Sequence, residues 1–220
     1  MAIQSGTADF YNKTYLRHNH FRYQAWLYAP YISSLIAFCG LKIGDSVLDV
    51  GCGQGFFSYL FGKQGMKAHG IDISETGIVT AKNLYERSGI SFSVADSQTV
   101  TFSEKFDCIF VRSCSLYNTN LFPLQNETTK NLLKHLKRGG TFIFVYNSSL
   151  SSKPSPKWRY HSLEDVKQHF SCYPNAQIFF LNRITTFLLR SRSFTRWTTR
   201  MNMILSKLSG AGGDLICILR

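Results

Sequence analysis

Three closely spaced glycines follow a carboxylate in the stretch VLDVGCGQGFFSYL, residues 47–60. An apolar, partly β-branched run leads into Asp49, and Gly51, Gly53 and Gly55 follow it. Glycine has no Cβ, so its backbone adopts positive φ readily and lets another group approach closely. The spacing therefore predicts a loop between a strand and a helix that packs directly against a ligand or another part of the chain.

Two further carboxylates end later strand-like segments. Asp72 ends the strand in AHGIDIS, and Asp96 ends the strand in ISFSVADS. In an open parallel sheet the carboxyl ends of the strands meet at one edge, where ligands bind. From these positions Asp72 can accept hydrogen bonds from both hydroxyls of a ribose, and Asp96 can meet an adenine amino group. The carboxylates and the glycine loop together predict a cleft for a nucleoside.

Two phosphate-binding loops require a different spacing. A dinucleotide loop G-x-G-x-x-G that starts at Gly51 needs a small residue where this chain has Phe56. A P-loop needs a lysine and a hydroxyl directly after its glycines, whereas this chain continues FFSYLFGK. The sequence therefore argues against both loops. A nicotinamide-dependent oxidoreductase, which would need the dinucleotide loop, is kept as the alternative from a different class of enzyme.

Short apolar runs alternate with helical stretches from residue 42 onward, which predicts an α/β fold around a mostly parallel sheet. The predicted strands are 46–50, 67–71, 91–94, 107–111 and 141–146, followed by AQIFFLN and GDLICILR. Capping residues predict helices at 75–89 after Ser74, at 123–138 from Pro123, and at 162–170, where Ser162 and Asp165 approximate a capping box. His161 directly precedes that cap, which favours a structural role over a catalytic one.

Five of these segments together resemble the class I S-adenosylmethionine-dependent methyltransferases. They are VLDVGCGQG, GIDIS, VADS, FDCIFVRS and LKRGGTFIFV, and they cover about residues 43–146. The resemblance implies a Rossmann-like, seven-stranded sheet of order 3-2-1-4-5-7-6 with an antiparallel last strand and helices on both faces. Two strands remain at the C-terminus to complete that sheet.

The same resemblance implies S-adenosyl-L-methionine as the cofactor and S-adenosyl-L-homocysteine as its product. Asp49, Gly51, Gly53 and Gly55 are expected around the methionyl end, Asp72 at the ribose, Asp96 at the adenine, and Ile73 and Ser97 beside that base. Taken singly, Asp49 is equally well explained as a cap of the glycine turn, and Asp96 as a turn residue. A protein that binds the cofactor without catalysis is left open.

Residues 1–42 precede the predicted sheet and interleave aromatic with basic side chains. Helix-like spacing predicts an N-terminal helical cap that buries its aromatic residues, and the alternative is a cap whose aromatic residues also line a pocket. His18 and His20 in this cap are the candidate catalytic bases, and Tyr117 after the fourth strand is a third candidate catalytic residue, which with Asn118 could orient the acceptor. A base is needed only if the acceptor of the methyl group is a hydroxyl.

The remaining chain, residues 43–220, divides into a cofactor half at 43–146 and acceptor-side elements at 147–220. The latter contain a basic insertion at 183–210, which has six basic residues and no acidic one. We predict that four arginines of this insertion recognise the acceptor: Arg190, Arg192, Arg196 and Arg200. We expect a small anionic acceptor, such as a sugar or its nucleotide or lipid-linked derivative. RNA and a membrane surface are the alternative partners.

Composition bounds these predictions. Lys and Arg outnumber Asp and Glu by 25 to 13, a net charge of +12 that favours anionic partners. No apolar run approaches the roughly 18–20 residues needed to span a bilayer, and the start MAIQSGTADF lacks a signal-peptide pattern. A cytoplasmic protein is therefore expected. The six cysteines show no metal-ligand spacing, so we expect free thiols and no metal.

Overall fold

The computed structural model describes residues 8–118, 121–150, 158–182, 195–209 and 213–220. Helices in this part of the chain are α1 (Ala8–Thr14), α2 (Ala25–Cys39), α3 (Phe56–Lys63), α4 (Glu75–Tyr85), α5 (Phe122–Leu133), α6 (Leu163–His169) and α7 (Thr195–Ser209). The strands are β1 (Ser46–Val50), β2 (Lys67–Asp72), β3 (Ile90–Val94), β4 (Phe106–Arg112), β5 (Leu136–Asn147), β6 (Gln177–Asn182) and β7 (Gly213–Leu219). One 3₁₀ turn, Ser115–Tyr117, follows β4.

The strands form one sheet in the order β3-β2-β1-β4-β5-β7-β6. Strands β1 to β5 pair in parallel, whereas β7 runs antiparallel to both β5 and β6. This order confirms the fold predicted from the sequence. Because the chain leaves β1 towards β3 and leaves β4 towards β6, the strand order reverses between β1 and β4. Such a reversal opens a crevice at the carboxyl ends of the strands.

Helices cover both faces of the sheet. Neighbouring residues of a strand point to opposite faces, so Val47 and Cys108 pack with α2 and α3, while Leu48 and Ile109 pack with α5 and α6. All four side chains are fully buried. The apolar strands that the sequence showed are therefore buried on both sides, as a parallel sheet requires.

The predicted N-terminal cap has two parts with different roles. Helix α2 belongs to the core, because Ile32 and Leu35 are fully buried in the cluster that also contains Val47. The helix ends at Gly40, whose φ of 73° lets the chain turn back onto the last turn of the helix. Only the residues before α2 extend over the carboxyl ends of the strands, and we call residues 8–23 the N-terminal cover.

The helix predicted at 123–138 was wrong at its C-terminal end. Helix α5 stops at Leu133, and β5 already begins at Leu136. The basic residues there resemble the last turn of a helix, but Lys137 instead forms an ion pair of 2.8 Å with Asp107 of β4. Residues from Leu136 onward, which the local pattern assigned to the helix, belong instead to β5, which pairs with β4.

Part of the predicted basic insertion lies outside the described residues. This applies to 183–194, which contain Arg190 and Arg192, and to the side chain of Arg196. Helix α7 accounts for the described portion, and Arg200 is exposed on it. Of the helices within the described ranges, none is long and apolar enough to cross a membrane.

Candidate active site

A cavity of about 970 Å³ lies at the carboxyl ends of β1 to β5. Its floor comes from the loop after β1 and from the ends of β2 and β3. Residues after β4 and β5 form a second half, and the N-terminal cover closes the cavity from above. The crevice expected from the strand order is thus a single space that joins a cofactor half to an acceptor half.

The glycine loop brings bare backbone to the cavity wall. Gly51 and Gly53 line the cavity in left-handed conformations, with φ of 72° and 54°. A Cβ on Gly51 would lie 3.0 Å from the Cys114 sulfur, and one on Gly53 would lie 2.8 Å from the Tyr15 hydroxyl oxygen. A side chain at either position would be strained by φ and would collide, which explains the spacing in the sequence.

Gly55 has a different role from the one predicted. Its φ is 82°, and it precedes the first turn of α3, but it does not line the cavity. A Cβ there would lie 2.7 Å from both the Ala81 Cβ and the ring of Phe92. Gly55 therefore lets the loop pack against α4 and β3, and its predicted contact with the methionyl end of the cofactor is not supported.

Asp49 ends β1 just beneath the loop. Its carboxylate is buried and accepts a hydrogen bond of 2.6 Å from the Ser58 hydroxyl on α3. Burial raises the pKa of Asp49 to about 7, the Ser58 bond opposes that rise, and the nearby Asp72 charge adds to it. A cationic group in the cavity would favour the ionised form, which suits the predicted contact with the methionyl ammonium.

Asp72 ties the loop to the end of β2. One carboxylate oxygen accepts from Gly53 N at 2.8 Å and the other from Ser74 N at 2.9 Å. Burial raises the pKa of Asp72, and these two N–H bonds oppose the rise. A carboxylate offers about four acceptor positions, so capacity remains for ribose hydroxyls. Asp72 lines the cavity, as predicted.

The predicted adenine residues lie on the same wall. Ile73, Asp96 and Ser97 all line the cavity beyond Asp72. Asp96 is exposed and accepts a hydrogen bond of 2.9 Å from Gln98 N, which fixes the turn after β3. The structure brings together every predicted cofactor residue except Gly55, and it does so in the order in which the sequence presents them.

The glycine loop also holds the N-terminal cover in place. The Gln54 side-chain amide donates to Tyr15 O at 3.1 Å and to Arg17 O at 2.8 Å, while its carbonyl oxygen accepts from His20 N at 2.9 Å. No sequence pattern predicts these contacts, because the partners of Gln54 are backbone groups more than 30 residues away. Three hydrogen bonds from Gln54 therefore attach the N-terminal cover to the cofactor loop.

Asn12 fixes the first helix of this cover. Its side-chain oxygen accepts from the Ser74 hydroxyl at 2.7 Å and from Thr76 N at 3.2 Å, at the N-terminus of α4. Tyr11 and Tyr15 stack with ring centroids 5.8 Å apart, and both line the cavity. The cover thus buries some aromatic side chains and lines a pocket with them, which was the alternative interpretation of the N-terminal segment.

The three candidate catalytic residues lie in different surroundings. His18 and His20 line the cavity from the N-terminal cover. Tyr117 does not line it, because the 3₁₀ turn directs its side chain into the core, where its hydroxyl lies 3.0 Å from the Thr129 hydroxyl. Burial also raises the pKa of Tyr117 well above its ordinary value. Tyr117 is therefore not placed to act as a base.

His161 has the structural role that was expected. It is buried, and its Nε2 lies 2.9 Å from Tyr117 O, which fits donation of the Nε2 hydrogen to that carbonyl. Burial lowers the pKa of His161, although this hydrogen bond and Asp165 oppose the shift. The capping box between Ser162 and Asp165 is also present, which confirms the prediction for α6.

Arg112 is the main residue that the sequence analysis missed. It ends β4, contributes to the cavity wall and forms a buried ion pair of 3.1 Å with Asp214 of β7. The rings of Tyr23, Tyr28 and Phe57 lie 5.1–5.9 Å from its guanidinium carbon. Its Nε–H is buried and has no hydrogen-bond acceptor among the described residues.

The ion pair keeps Arg112 charged. Burial lowers the pKa of the guanidinium, but Asp214 together with the side chains of Tyr23, Tyr31 and Tyr28 outweighs burial and holds the pKa above its ordinary value. Two charged residues at strand ends could have indicated this pair. Arg112 ends an otherwise apolar strand in FDCIFVRS, and Asp214 lies at the start of another in GDLICILR. Only the topology reveals that the two residues meet.

Other residues of the acceptor half are polar or aromatic. Ser113 has a left-handed backbone, with φ of 46°, and its hydroxyl lies 3.3 Å from an Arg112 nitrogen. Such a conformation is uncommon for a residue other than glycine and is often found at functional sites. Asn147, Trp158 and Tyr160 complete this wall.

The cavity fits S-adenosylmethionine. Gly51 and Gly53 present bare backbone to the cavity, and Asp49, Asp72 and Asp96 are placed along one wall for an ammonium, a ribose and an adenine. The sheet order and this cavity define the class I S-adenosylmethionine-dependent methyltransferases. The chain belongs to the family described as "Methyltransferase domain", whose sequence pattern matches residues 41–199. Membership overturns the alternative of a nicotinamide-dependent oxidoreductase.

Two curated proteins that resemble this chain are named as methyltransferases. Phosphoethanolamine N-methyltransferase 1 of Zea mays is 32% identical over 148 residues, which are 62% of this chain and 28% of the maize protein. A ubiquinone biosynthesis O-methyltransferase of Coxiella burnetii is 34% identical over 104 residues, 46% of this chain and 43% of that protein. The chain therefore spans less than half the length of these relatives.

Among solved structures, phosphoethanolamine N-methyltransferase 2 of Haemonchus contortus in complex with S-adenosyl-L-methionine superposes with a TM-score of 0.65 at 16% identity. The match covers 96% of this chain and 59% of that one. At this identity the likeness shows the fold alone, and it agrees with the sheet order described above. The cofactor of this family is S-adenosyl-L-methionine, as the sequence predicted.

Proposed function

We propose that this protein transfers a methyl group from S-adenosylmethionine to a small anionic metabolite, such as a phosphorylated compound. The observation that carries the proposal is Arg112. Its charged side chain lines the acceptor half of the cavity and has a buried Nε–H without an acceptor among the described residues. The positive charge of this guanidinium in the cavity wall would attract a carboxylate or phosphate, which are the groups that arginine is best suited to bind.

The cofactor supplies an activated methyl group, so the protein has mainly to align the acceptor. Productive alignment places the reacting atoms about 3–3.5 Å apart. We infer that Arg112 fixes the anionic end of the acceptor, while Trp158 and Tyr160 contact its remaining surface. If the acceptor is a hydroxyl, His18 or His20 takes up its proton, because both line the cavity from the N-terminal cover.

The names of similar proteins support a small acceptor. The maize and Haemonchus proteins are named for phosphoethanolamine, and the Coxiella protein for ubiquinone biosynthesis. An RNA acceptor was motivated by four arginines, of which only Arg200 has a described side chain, so no observation favours RNA over a metabolite. The cytoplasmic location stays a prediction of the sequence.

Inorganic phosphate tests this assignment of Arg112. We expect phosphate to raise the melting temperature of the protein saturated with S-adenosylhomocysteine, since a ligand that binds only the native state stabilises it. The double variant Arg112→Met/Asp214→Leu removes both members of the ion pair and should lose this response while keeping its affinity for S-adenosylhomocysteine. Arg200→Gln is the control, and it should respond to phosphate as the unmodified protein does.

Methylation assays then distinguish acceptors by charge. Phosphoethanolamine and ethanolamine form a matched pair of probes, and a metabolite extract with labelled cofactor covers acceptors outside that pair. We expect turnover of phosphorylated compounds to exceed that of their counterparts without phosphate, and the double variant to reduce this preference. A double variant that binds S-adenosylhomocysteine and keeps its full preference for phosphorylated compounds would contradict the role of Arg112.

A further inference from the structure

Helix α7 presents its apolar side chains to the outside. Met201, Ile204, Leu205 and Leu208 are 58%, 57%, 44% and 81% exposed. Their spacing of three and four residues places them in one stripe along the helix. A helix that only covers a core would turn such a stripe inward, so the orientation of α7 requires another explanation.

The inward face of α7 is polar because it covers the edge of the sheet. Strand β6 is the last strand in the sheet order, and α7 packs against it. Phe180 N of β6 donates a hydrogen bond of 3.3 Å to the Thr199 hydroxyl, and Asn202 and Ser206 on the same face are buried. Free strand edges carry unpaired backbone groups that proteins commonly cover. Covering this strand edge explains the polar face of α7. Among the described residues, the apolar stripe covers no part of the core.

Basic residues flank the stripe. Arg200 and Lys207 are exposed and lie seven residues apart, which places them on the same side of the helix. The sequence of α7 contains no aspartate or glutamate. The apolar stripe therefore has a positively charged border and no negative charge along the helix.

We propose that α7 is a docking surface for a membrane that contains anionic lipids. A helix with an apolar stripe and a basic border lies in the plane of the interface, with its apolar side chains at the boundary between headgroups and acyl chains. A second copy of the chain would bring two basic borders together, which disfavours a homodimer here. The aliphatic side chains of the stripe offer no stacking surface for nucleic acid bases.

Vesicle sedimentation tests the docking surface independently of methyl transfer. We expect retention on vesicles of phosphatidylglycerol and phosphatidylcholine, and much weaker retention on phosphatidylcholine alone. Arg200→Gln/Lys207→Gln should weaken binding to anionic vesicles about thirtyfold, since each basic residue near such a surface contributes about fivefold. Ile204→Ser/Leu208→Ser should weaken it at least about tenfold.

A matched control separates the stripe from general hydrophobicity. Ile43 and Val79 are also exposed, at other places on the surface, and Ile43→Ser/Val79→Ser should bind vesicles as the unmodified protein does. Equal binding by the α7 variants and this control would overturn the proposal. It is also overturned if Ile204→Ser/Leu208→Ser changes only the oligomeric state in light scattering, which identifies a second copy, or if the charge variant loses only retention on RNA.

Discussion

The variant Asp214→Asn is expected to destabilise the fold by about 3 kcal/mol. The Arg112–Asp214 pair is 3.1 Å long, and its side chains are 4% and 2% exposed. Removing one partner of a buried pair costs about 3–5 kcal/mol, because the other charge stays buried without compensation. The lower end applies here, since the asparagine oxygen can still accept the bond and the rings of Tyr23, Tyr28 and Phe57 still face the guanidinium. For 220 residues this lowers the melting temperature by about 6 °C.

Urea denaturation and calorimetry measure this change. The exposed pair between Lys130 and Glu127 provides the control, and Lys130→Gln should leave the urea midpoint and the melting temperature almost unchanged, because exposed ion pairs contribute little to stability. The double variant Arg112→Met/Asp214→Leu should recover most of the lost stability, because apolar replacement of a whole buried pair is often neutral. If Asp214→Asn melts within about 1 °C of the unmodified protein, Asp214 does not compensate the buried charge of Arg112.

Three further predictions concern the cofactor half. Asp72→Ala should weaken S-adenosylhomocysteine binding at least about tenfold in calorimetry, because charge-assisted bonds contribute about 1.5–3 kcal/mol each; unchanged affinity in a folded variant would reject the ribose contact. Gln54→Ala should speed hydrogen exchange in residues 8–23, because three hydrogen bonds to that segment are lost; exchange as slow as in the unmodified protein would show that the cover is held by other contacts. The pKa of Asp49 is raised to about 7, so its carboxyl gains charge as pH rises, and affinity for the cationic methionyl end should increase up to about eightfold between about pH 6 and 7.5. Asp49→Asn should flatten this profile, and a variant profile that still rises would place the titrating group elsewhere.

The sequence predicted features that depend on short segments. Strand β1, the glycine loop and Asp72 lie within one strand-loop-helix-strand unit, where each residue's conformation is set by its near neighbours. Capping of α6 by Ser162 was predictable for the same reason, since the bonds involved connect residues three positions apart. The resemblance to the methyltransferases then supplied the sheet order, which local patterns do not contain.

Contacts between distant segments escaped prediction. Arg112 and Asp214 are 102 positions apart, and each looks like an ordinary strand end until β7 inserts between β5 and β6. Tyr117 was predicted to orient the acceptor because its position after β4 fits the site, whereas a single 3₁₀ turn directs its side chain into the core. Gly55 follows the glycine pattern, yet the neighbours that require it come from α4 and β3.

The attachment of the N-terminal cover through Gln54 implies an order of events during turnover. Because the loop that meets the cofactor also holds the cover over the cavity, we expect S-adenosylmethionine to enter and S-adenosylhomocysteine to leave while those hydrogen bonds are broken. We therefore expect compulsory-order kinetics, with product departure slower than chemistry in the intact protein. Loosening the attachment should then shorten the residence time of the product while raising the concentration of cofactor required.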